Sequence, residues 1–194
     1  MSHLDTKSAL LSEAETLIRT MGYAAFSYAD LSERVGIRKA SIHHHFPTKE
    51  TLGAAVIDGY LVRFVAELDA LAARPIDTKR KLLAYGDFYA GSLEGGQLPL
   101  CGALAADEAG LPASMQRRVK SFFELHVTWL ETVIAKGRAA GELERLQSAK
   151  AATPRNCALM LLSTLQGASI VAWALKDPSV VKPVFRQALE SLTG

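Results

Sequence analysis

The chain has few cysteines and no long apolar run, and both features limit the classes of protein to which it can belong. Only Cys101 and Cys157 occur among its 194 residues, and two distant thiols do not make the disulfide framework of a small secreted domain. No stretch reaches the roughly 18 uninterrupted apolar residues that a membrane span needs. The N-terminus also lacks the basic-then-apolar pattern of a signal peptide. We therefore expect a cytoplasmic protein without a membrane partner.

The sequence also lacks the motifs of common catalytic and cofactor sites. It contains no GxGxxG, P-loop, GxSxG or HExxH pattern. Asp107 and Glu108 are adjacent carboxylates, but the side chains of neighbouring helix residues point apart, so these two do not form a catalytic carboxylate pair. The consecutive histidines at 43–45 diverge in the same way, which is wrong for a shared metal ion. We predict that the chain is not an enzyme and that it uses no cofactor or metal.

The sequence is rich in the features of α-helices. Apolar residues make up 49% of the chain and charged residues 22%, as in a soluble globular protein, and Ala and Leu are abundant. Apolar spacing and the Gly and Pro breaks predict an all-α fold of about nine helices. The expected ranges are about 7–21, 27–36, 38–46, 49–73, 78–94, 102–110, 112–140, 152–176 and 178–192.

The segment 26–52 carries the most specific pattern. Ser27 is suited to cap a short helix, and Gly36 is suited to end it. A second short helix opens at Arg38 and closes near Phe46. Two short helices joined by a tight turn fit the major groove of DNA. The segment therefore predicts a DNA-binding helix-turn-helix.

The charge of this segment favours the same interpretation. Between Arg34 and Lys49 there are four basic residues, three histidines and no carboxylate, although the first sixty residues together carry slightly more acid than base. The net charge of the whole chain is only +2, so positive potential is focused on one element. Phosphate is the partner that this pattern favours.

Four features of the N-terminal region resemble a known family. They are Gly22-Tyr23, Phe26-Ser27, the block DLSERVGIRKASIHHHF and the TKETL that follows. Over about residues 10–55 they are similar to the DNA-binding domain of the tetracycline-repressor-type (TetR/AcrR) family of bacterial transcriptional regulators. The length and the all-α remainder agree with that family.

The resemblance implies an architecture and a set of partners. Three N-terminal helices, in residues 1–50, would form the helix-turn-helix domain, and a long helix would join it to a C-terminal effector-binding and dimerisation domain, residues 51–194. The protein would be a homodimeric repressor of a palindromic operator in double-stranded DNA. A small-molecule effector, not identified by the sequence, would release it from that operator.

The resemblance also assigns roles to single residues. Ser27 and Lys49, each at the start of a helix, would contact phosphates. The recognition helix would be Lys39–His45, and the side chains expected at base edges are Arg38, Lys39, Ser41 and His44. His43 and His45 would touch phosphate or the groove wall.

Position 43 departs from the family pattern. Many relatives have Tyr where this chain has His43. Histidine is the side chain whose charge changes near neutrality. We therefore expect DNA binding to weaken as the pH rises through neutrality.

Candidates for the effector site are aromatic and polar side chains of the C-terminal part. They are Phe88, Tyr89, Phe122, His126 and Trp129. The last three share one face of a predicted long helix. Such a stripe is typical of a packed core and also of a ligand pocket with apolar walls and few polar groups.

Cys101 is a further candidate, in the segment LPLCGALAADEAGLP. It lies directly before a short predicted helix, whose amide groups and dipole are expected to lower a thiol pKa. The stretch is similar to that of a subgroup of the family that responds to electrophiles or oxidants through a cysteine. The alternative is a small buried residue packed against the central helix.

The apolar segment Arg155–Leu175, rich in small residues, predicts a helix buried in a core or between two subunits. We expect a dimer. The pattern leaves open whether the regulator represses or activates. The alternative function is a helical protein-interaction module without sequence-specific DNA binding.

Overall fold

The computed structural model describes residues 3–143 and 153–193, and within them it contains nine α-helices, two short 3₁₀ helices and no strand. The predicted all-α class is confirmed. The α-helices are α1 His3–Met21, α2 Tyr28–Val35, α3 Lys39–His45, α4 Lys49–Ala73, α5 Thr78–Glu94, α6 Leu100–Ala105, α7 Ala113–Ala139, α8 Pro154–Leu175 and α9 Val181–Thr193.

The end of α1 and both ends of α2 lie where their capping residues favour them. Gly22 follows α1 with a φ of 90°, a conformation that side chains with a Cβ rarely adopt. Ser27 caps α2 in a reciprocal capping box with Asp30, and Gly36 closes α2 in the left-handed conformation. These local signals define α2 and the start of the turn that leads to α3.

Two C-terminal boundaries differ from the sequence prediction. The helix expected over 102–110 begins earlier, and α6 covers Leu100–Ala105 before a separate 3₁₀ turn at Glu108–Gly110. Pro99 stands before the first turn of α6, where its missing N–H costs no helical hydrogen bond. The stretch expected over 178–192 starts as a 3₁₀ helix, Pro178–Val180, before α9.

The contacts divide the chain into two compact units. Unit 1 contains the described residues up to Arg63 together with Pro99–Phe122, and unit 2 contains Phe64–Leu98 together with the described residues from Phe123 onward. Helices α4 and α7 each run without a break from one unit into the other. The functional boundary expected at residue 50 stays a prediction.

Each unit has its own apolar core. In unit 1, α1 packs against α2 and α6, and α2 packs against α3. In unit 2, α5, α8 and α9 pack against one another. The fully buried side chains of unit 1 include Leu10, Leu17, Ile18, Phe26, Leu31, Ile42, Leu52 and Ile57, and those of unit 2 include Tyr85, Leu130, Ile134, Leu161, Leu165 and Val181.

Helix α8 is unusual in its composition. By length and hydropathy alone it could cross a membrane. One side of it packs against α5 and α9, with Leu161 and Leu165 fully buried. The other side exposes large apolar residues, among them Ile170 and Leu175, at 56% and 65%. Exposed apolar patches of this kind are typical of interaction surfaces.

Candidate nucleic-acid interface and buried aromatic cluster

Helix α3 presents one buried anchor and an exposed polar face. Ile42 is completely buried in unit 1, and it holds the helix against the core. Its neighbours Arg38, Lys39, Ser41 and His44 are all exposed. The four side chains expected at base edges therefore share the surface of a short, fixed helix, which is the arrangement that reads a major groove.

The C-terminal end of α3 is fastened by an aromatic pair. Tyr28 donates a hydrogen bond of 2.8 Å to the carbonyl of Phe46, and burial raises the pKa of Tyr28 to about 12. The ring of His43 meets Tyr28 edge-on at 4.8 Å. Nδ1 of His43 lies 3.2 Å from the carbonyl of Pro47, so a proton on Nδ1 is donated there. His43 thus orients the helix end as well as facing solvent.

The remaining histidines of the run differ in exposure. His44 is exposed and His45 is half-buried, and their rings meet edge-on at 5.7 Å. Among the described residues, no three His, Cys, Asp or Glu side chains are grouped so that they could hold a metal ion.

Ser27 is engaged at the start of α2. Its Oγ accepts a hydrogen bond of 3.1 Å from the N–H of Ala29 and donates one of 2.7 Å to Oδ2 of Asp30. The same carboxylate accepts from the Ser27 N–H at 2.7 Å. These hydrogen bonds lower the pKa of Asp30. Ser27 is exposed, so its hydroxyl is within reach of a phosphate but would have to leave the capping box to donate to it.

Lys49 is engaged within the protein rather than extended into solvent. Its Nζ donates to the carbonyls of Phe26 and Ala24, at 2.5 Å and 3.3 Å. It also lies 4.7 Å from the centre of the Tyr23 ring. Burial lowers the pKa of Lys49. The side chain therefore ties the start of α4 to the loop before α2, a role that the sequence pattern did not suggest.

In unit 2, α5, α7 and α8 bring together four polar side chains that we call the tyrosine–histidine cluster: Tyr85, Tyr89, His126 and Gln166. Nδ1 of His126 forms hydrogen bonds with both phenols, a short one with Tyr85 and one of 3.3 Å with Tyr89. Gln166 donates to the Tyr89 hydroxyl at 3.3 Å. Burial lowers the pKa of His126 to about 3, so the imidazole is neutral at pH 7.

Aromatic rings enclose this cluster. Phe64 stacks on His126 with ring centres 4.5 Å apart, and Phe88 meets Phe64 edge-on at 5.7 Å. Trp129 stacks on Tyr85 at 5.3 Å. The indole Nε1 of Trp129 is buried and has no hydrogen-bond partner within the part of the chain that the structure describes.

Comparison with known proteins decides the family. The model of bacterial regulatory proteins of the tetR family matches residues 10–56, the segment that contains α2 and α3. Along nearly its whole length the chain is similar to the crystal structure of a TetR-family transcriptional regulator from Agrobacterium tumefaciens, with 33% identity, a TM-score of 0.91, and coverage of 98% of this chain and 99% of that one. The chain belongs to the TetR family of transcriptional regulators.

Other relatives of this TetR-family chain match over shorter stretches. The HTH-type transcriptional regulator EthR of Mycolicibacterium smegmatis is 30% identical over 40% of this chain and 36% of its own length. The HTH-type transcriptional repressor ComR of Escherichia coli is 39% identical over 33% of this chain and 30% of its own. The match thus spans about a third of these curated relatives. CymR of Pseudomonas putida, an HTH-type transcriptional regulator, is 27% identical over 73% of this chain and 71% of its own.

Cys101 of this TetR-family chain does not lie where the sequence suggested. It is the second residue of α6 rather than the residue before a helix, and it is completely buried. Burial raises the pKa of its thiol well above the ordinary range. The expected lowering of the thiol pKa is therefore wrong, because removal from water outweighs the helix dipole.

The predicted effector residues separate into two groups. Phe88, Tyr89, His126 and Trp129 meet in unit 2. Phe122 belongs to unit 1, where its ring lies 5.7 Å from that of Tyr60. Tyr85 and Gln166 were not among the predicted residues. Tyr85 stands four residues before Tyr89, on the same helix face, and that spacing was the available signal for it.

Unit 2 of the TetR-family protein also has a surface pocket of about 430 Å³ beside the end of α8. It is lined by Leu93, Gly96, Ala172, Trp173, Lys176 and Pro178. The pocket borders the exposed apolar side of α8, since Trp173 itself is 38% exposed. The pocket is therefore continuous with that surface.

Proposed function

We propose that this TetR-family regulator is a cytoplasmic homodimeric repressor that binds a palindromic operator and leaves it when a small molecule binds in unit 2. The observation that carries the proposal is the exposed face of α3. It combines Arg38, the residue before the helix, with Lys39, Ser41 and His44 on a helix whose only buried residue is Ile42. The segment around it, 34–49, has no carboxylate that would repel a phosphate.

The proposed contacts divide into two kinds. Arg38, Lys39, Ser41 and His44 contact base edges, because they are exposed on the recognition helix. Ser27, His43, His45 and the backbone N–H groups at the start of α4 contact phosphates or the groove wall. For the start of α4 we assign the contact to the backbone amides and not to the Lys49 ammonium, since that ammonium is held by two carbonyls.

The exposed side of α8 supports the dimer. On α8, the exposed fractions of Ile170, Val171 and Leu175 are 48–65%. An isologous contact between two copies would bury this surface on both of them. Two recognition helices related by a twofold axis would read two half-sites about one DNA turn apart.

The proposed effector response depends on helix α7, which has residues in both units. His126 of the tyrosine–histidine cluster and Trp129, which stacks on Tyr85, lie on α7, whose first ten residues belong to unit 1. In that unit Arg118 of α7 pairs with Asp58 of α4 at 2.7 Å. A ligand that favours one arrangement of α7 would change operator affinity only by its differential affinity for the two states, and about 1–3 kcal/mol of coupling changes it roughly 5- to 150-fold.

Selection of bound duplexes from a random DNA pool tests the function. The wild-type protein is expected to enrich a palindrome, and Arg38→Ala and Lys39→Ala are expected to weaken its binding. Arg80→Ala is the matched control, since Arg80 is an exposed arginine of unit 2. The absence of an enriched sequence would contradict the proposal and favour the helical protein-interaction module. Equal loss in all three variants would contradict the assignment to α3.

A further inference from the structure

Unit 2 has a pocket of about 430 Å³ beside the C-terminal ends of α5 and α8. Leu93 and Gly96 line it from the α5 side, and Ala172 and Trp173 line it from α8. Pockets of about 300–1,000 Å³ with mostly apolar walls are the usual places where proteins bind small molecules. This pocket therefore has the size of a small-molecule site, and none of its lining residues belongs to the tyrosine–histidine cluster.

The walls of the pocket are largely apolar and include one broad ring. Leu93 and Ala172 are buried, at 5% and 1% exposure, whereas part of the Trp173 indole is open to solvent. Pro178, the first residue of the 3₁₀ turn after α8, adds a further apolar surface. A flat aromatic molecule suits such walls, because it stacks on an indole and covers apolar surface.

Lys176 is the charged residue of the pocket lining. Its backbone has a φ of 55°, and it is the one non-glycine residue with a positive φ in the part of the chain that the structure describes. Glycine is the usual residue at this position after a helix, because it adopts the left-handed conformation without a steric cost. The chain has a lysine there in spite of that cost, which points to a role for its side chain.

The charges around Lys176 leave its ammonium available to an anion. Among the residues that the structure describes, this ammonium has no ion-pair partner. The carboxylate of Asp177, the next residue, accepts hydrogen bonds from the hydroxyl and the N–H of Ser179, and these lower its pKa. Glu94, at the end of α5, pairs with Lys182 at 3.4 Å. Both carboxylates beside the lining residues therefore have other partners.

We propose that this pocket binds an aromatic carboxylate whose ring stacks on Trp173 and whose carboxylate accepts a hydrogen bond from the Lys176 ammonium. The flexible four-carbon stem of a lysine allows the ammonium to reach over the pocket. A carboxylate is favoured over a neutral group, because charge-assisted hydrogen bonds are the stronger ones. The inference goes beyond the proposed function, since it holds whether or not the bound molecule affects the operator.

The test compares three molecules with one ring system. They are 2-naphthoate, which is anionic at pH 7.5; 2-naphthamide, which is neutral; and 2-naphthylmethylammonium, which is cationic. The chain has only two tryptophans, Trp129 and Trp173, so the indole N–H signals of the ¹⁵N-labelled full-length protein can be assigned with Trp173→Phe. Dissociation constants are measured by the same titration.

The expected result is a ranking together with a local signal. 2-Naphthoate is expected to bind about fivefold more tightly than the amide, as a partly exposed ion pair allows, and the ammonium is expected to bind most weakly. Binding of 2-naphthoate should shift the indole signal of Trp173. The signal of Trp129, whose Nε1 is buried and whose ring stacks on Tyr85, should stay in place.

Lys176→Gly separates the ammonium from the backbone conformation. Glycine relieves the left-handed strain, so this variant is expected to stay folded and to lose the preference for 2-naphthoate over the amide. Lys176→Asn should behave in the same way, because asparagine also tolerates this conformation. Lys136→Gln is the matched control. It removes an exposed lysine of α7 in unit 2 and should keep the preference.

Three results would overturn the inference. The first is no shift of the Trp173 signal at 1 mM 2-naphthoate, which would be found if a second copy of the chain filled the pocket. The second is equal binding of 2-naphthoate and the amide, and the third is a preference that survives in Lys176→Gly. No step involves DNA. Failure of the operator selection with a normal Trp173 response would reject the repressor function alone, and the converse result would reject this site alone.

Discussion

Lys49 and Phe26 are joined by two contacts of one ammonium group. Nζ of Lys49 donates a hydrogen bond of 2.5 Å to the Phe26 carbonyl and lies 4.4 Å from the centre of the Phe26 ring. Lys49 therefore stabilises the packing of α2 and α3. Its effect on DNA binding should be separable from the effect of Lys39, which lies on α3.

Lys49→Met is expected to destabilise the protein by about 1–2 kcal/mol, because it removes a charge-assisted hydrogen bond and a cation–π contact. Denaturant unfolding measures this loss. The salt dependence of operator binding should stay unchanged, since no ammonium–phosphate contact is removed.

Lys39→Met is the matched comparison. Lys39 is exposed on α3, so its loss is expected to leave stability within about 0.5 kcal/mol and to weaken operator binding. If Lys39 contacts phosphate instead of a base, the slope of the logarithm of the operator-binding constant against the logarithm of the salt concentration should become less steep by about one. A reduced salt slope in Lys49→Met would contradict the role given to Lys49.

Acid is expected to destabilise unit 2 through His126. Burial lowers the pKa of this imidazole from 6.5 to about 3. Between these two values the unfolded chain binds a proton on His126 that the folded protein does not bind. Stability is fully present above pH 6.5 and falls as the pH decreases toward 3, by up to about 1.4 kcal/mol per pH unit.

Denaturant unfolding between pH 4 and 7 measures that slope. His126→Gln should flatten it, whatever its effect on stability at pH 7. His44→Gln changes an exposed histidine and should leave the slope as it is. A wild-type slope retained in His126→Gln would show that another group causes the acid sensitivity.

Gly86 allows the close approach of α5 and α9. A Cβ at this position would lie 2.5 Å from Cδ1 of Phe185, and both residues are buried. Gly86→Ala is therefore expected to destabilise the protein by about 1–3 kcal/mol through overpacking. Thermal or denaturant unfolding measures the change.

Gly91 offers the control on the same helix. A Cβ there meets nothing within 4 Å, so Gly91→Ala should stabilise the protein by up to about 1 kcal/mol through helix propensity. Equal effects of the two substitutions would mean that contact with Phe185 is not what Gly86 provides.

The exposed side of α8 is expected to hold two copies together. Ile170→Glu places a charge on a residue that is 56% exposed in the single chain, so it should leave the fold intact and convert the dimer to a monomer in light scattering. Val62→Glu is the matched control, since Val62 is 72% exposed on α4. A monomeric wild-type protein, or a dimer that survives Ile170→Glu, would contradict the proposed interface.

The sequence predicted the regions whose boundaries depend on local chemistry. Ser27 and Gly36 act within one or two turns of the residues that they cap, so the helix-turn-helix could be derived without tertiary structure. The long helix α4 was predicted at its observed bounds because local residues also mark its ends: Thr48 before its start and Pro75 after its end. Helix α6 was placed two residues late, because a six-residue helix takes its position from burial of Leu100, Cys101 and Leu104 more than from its own pattern.

The candidate site was predictable in part, for a related reason. Exposure of Arg38 and Lys39 follows from their charge, since arginine and lysine side chains are almost never fully buried. The partners of Lys49 lie 23 and 25 residues away in sequence, and Tyr85 meets His126 across 41 residues. Such contacts come from packing, which a single sequence does not specify.

Within helix α3, Ile42 is the one residue buried in the core of unit 1, and the contact of His43 with Tyr28 holds the end of the helix. The exposed side chains of Arg38, Lys39, Ser41 and His44 lie outside that core, so their substitution is expected to change the free energy of folding by no more than about 0.5 kcal/mol each. In the proposed function, preference for a DNA sequence is thus separate from stability of the scaffold, and a few substitutions between positions 38 and 44 would be enough to change the operator.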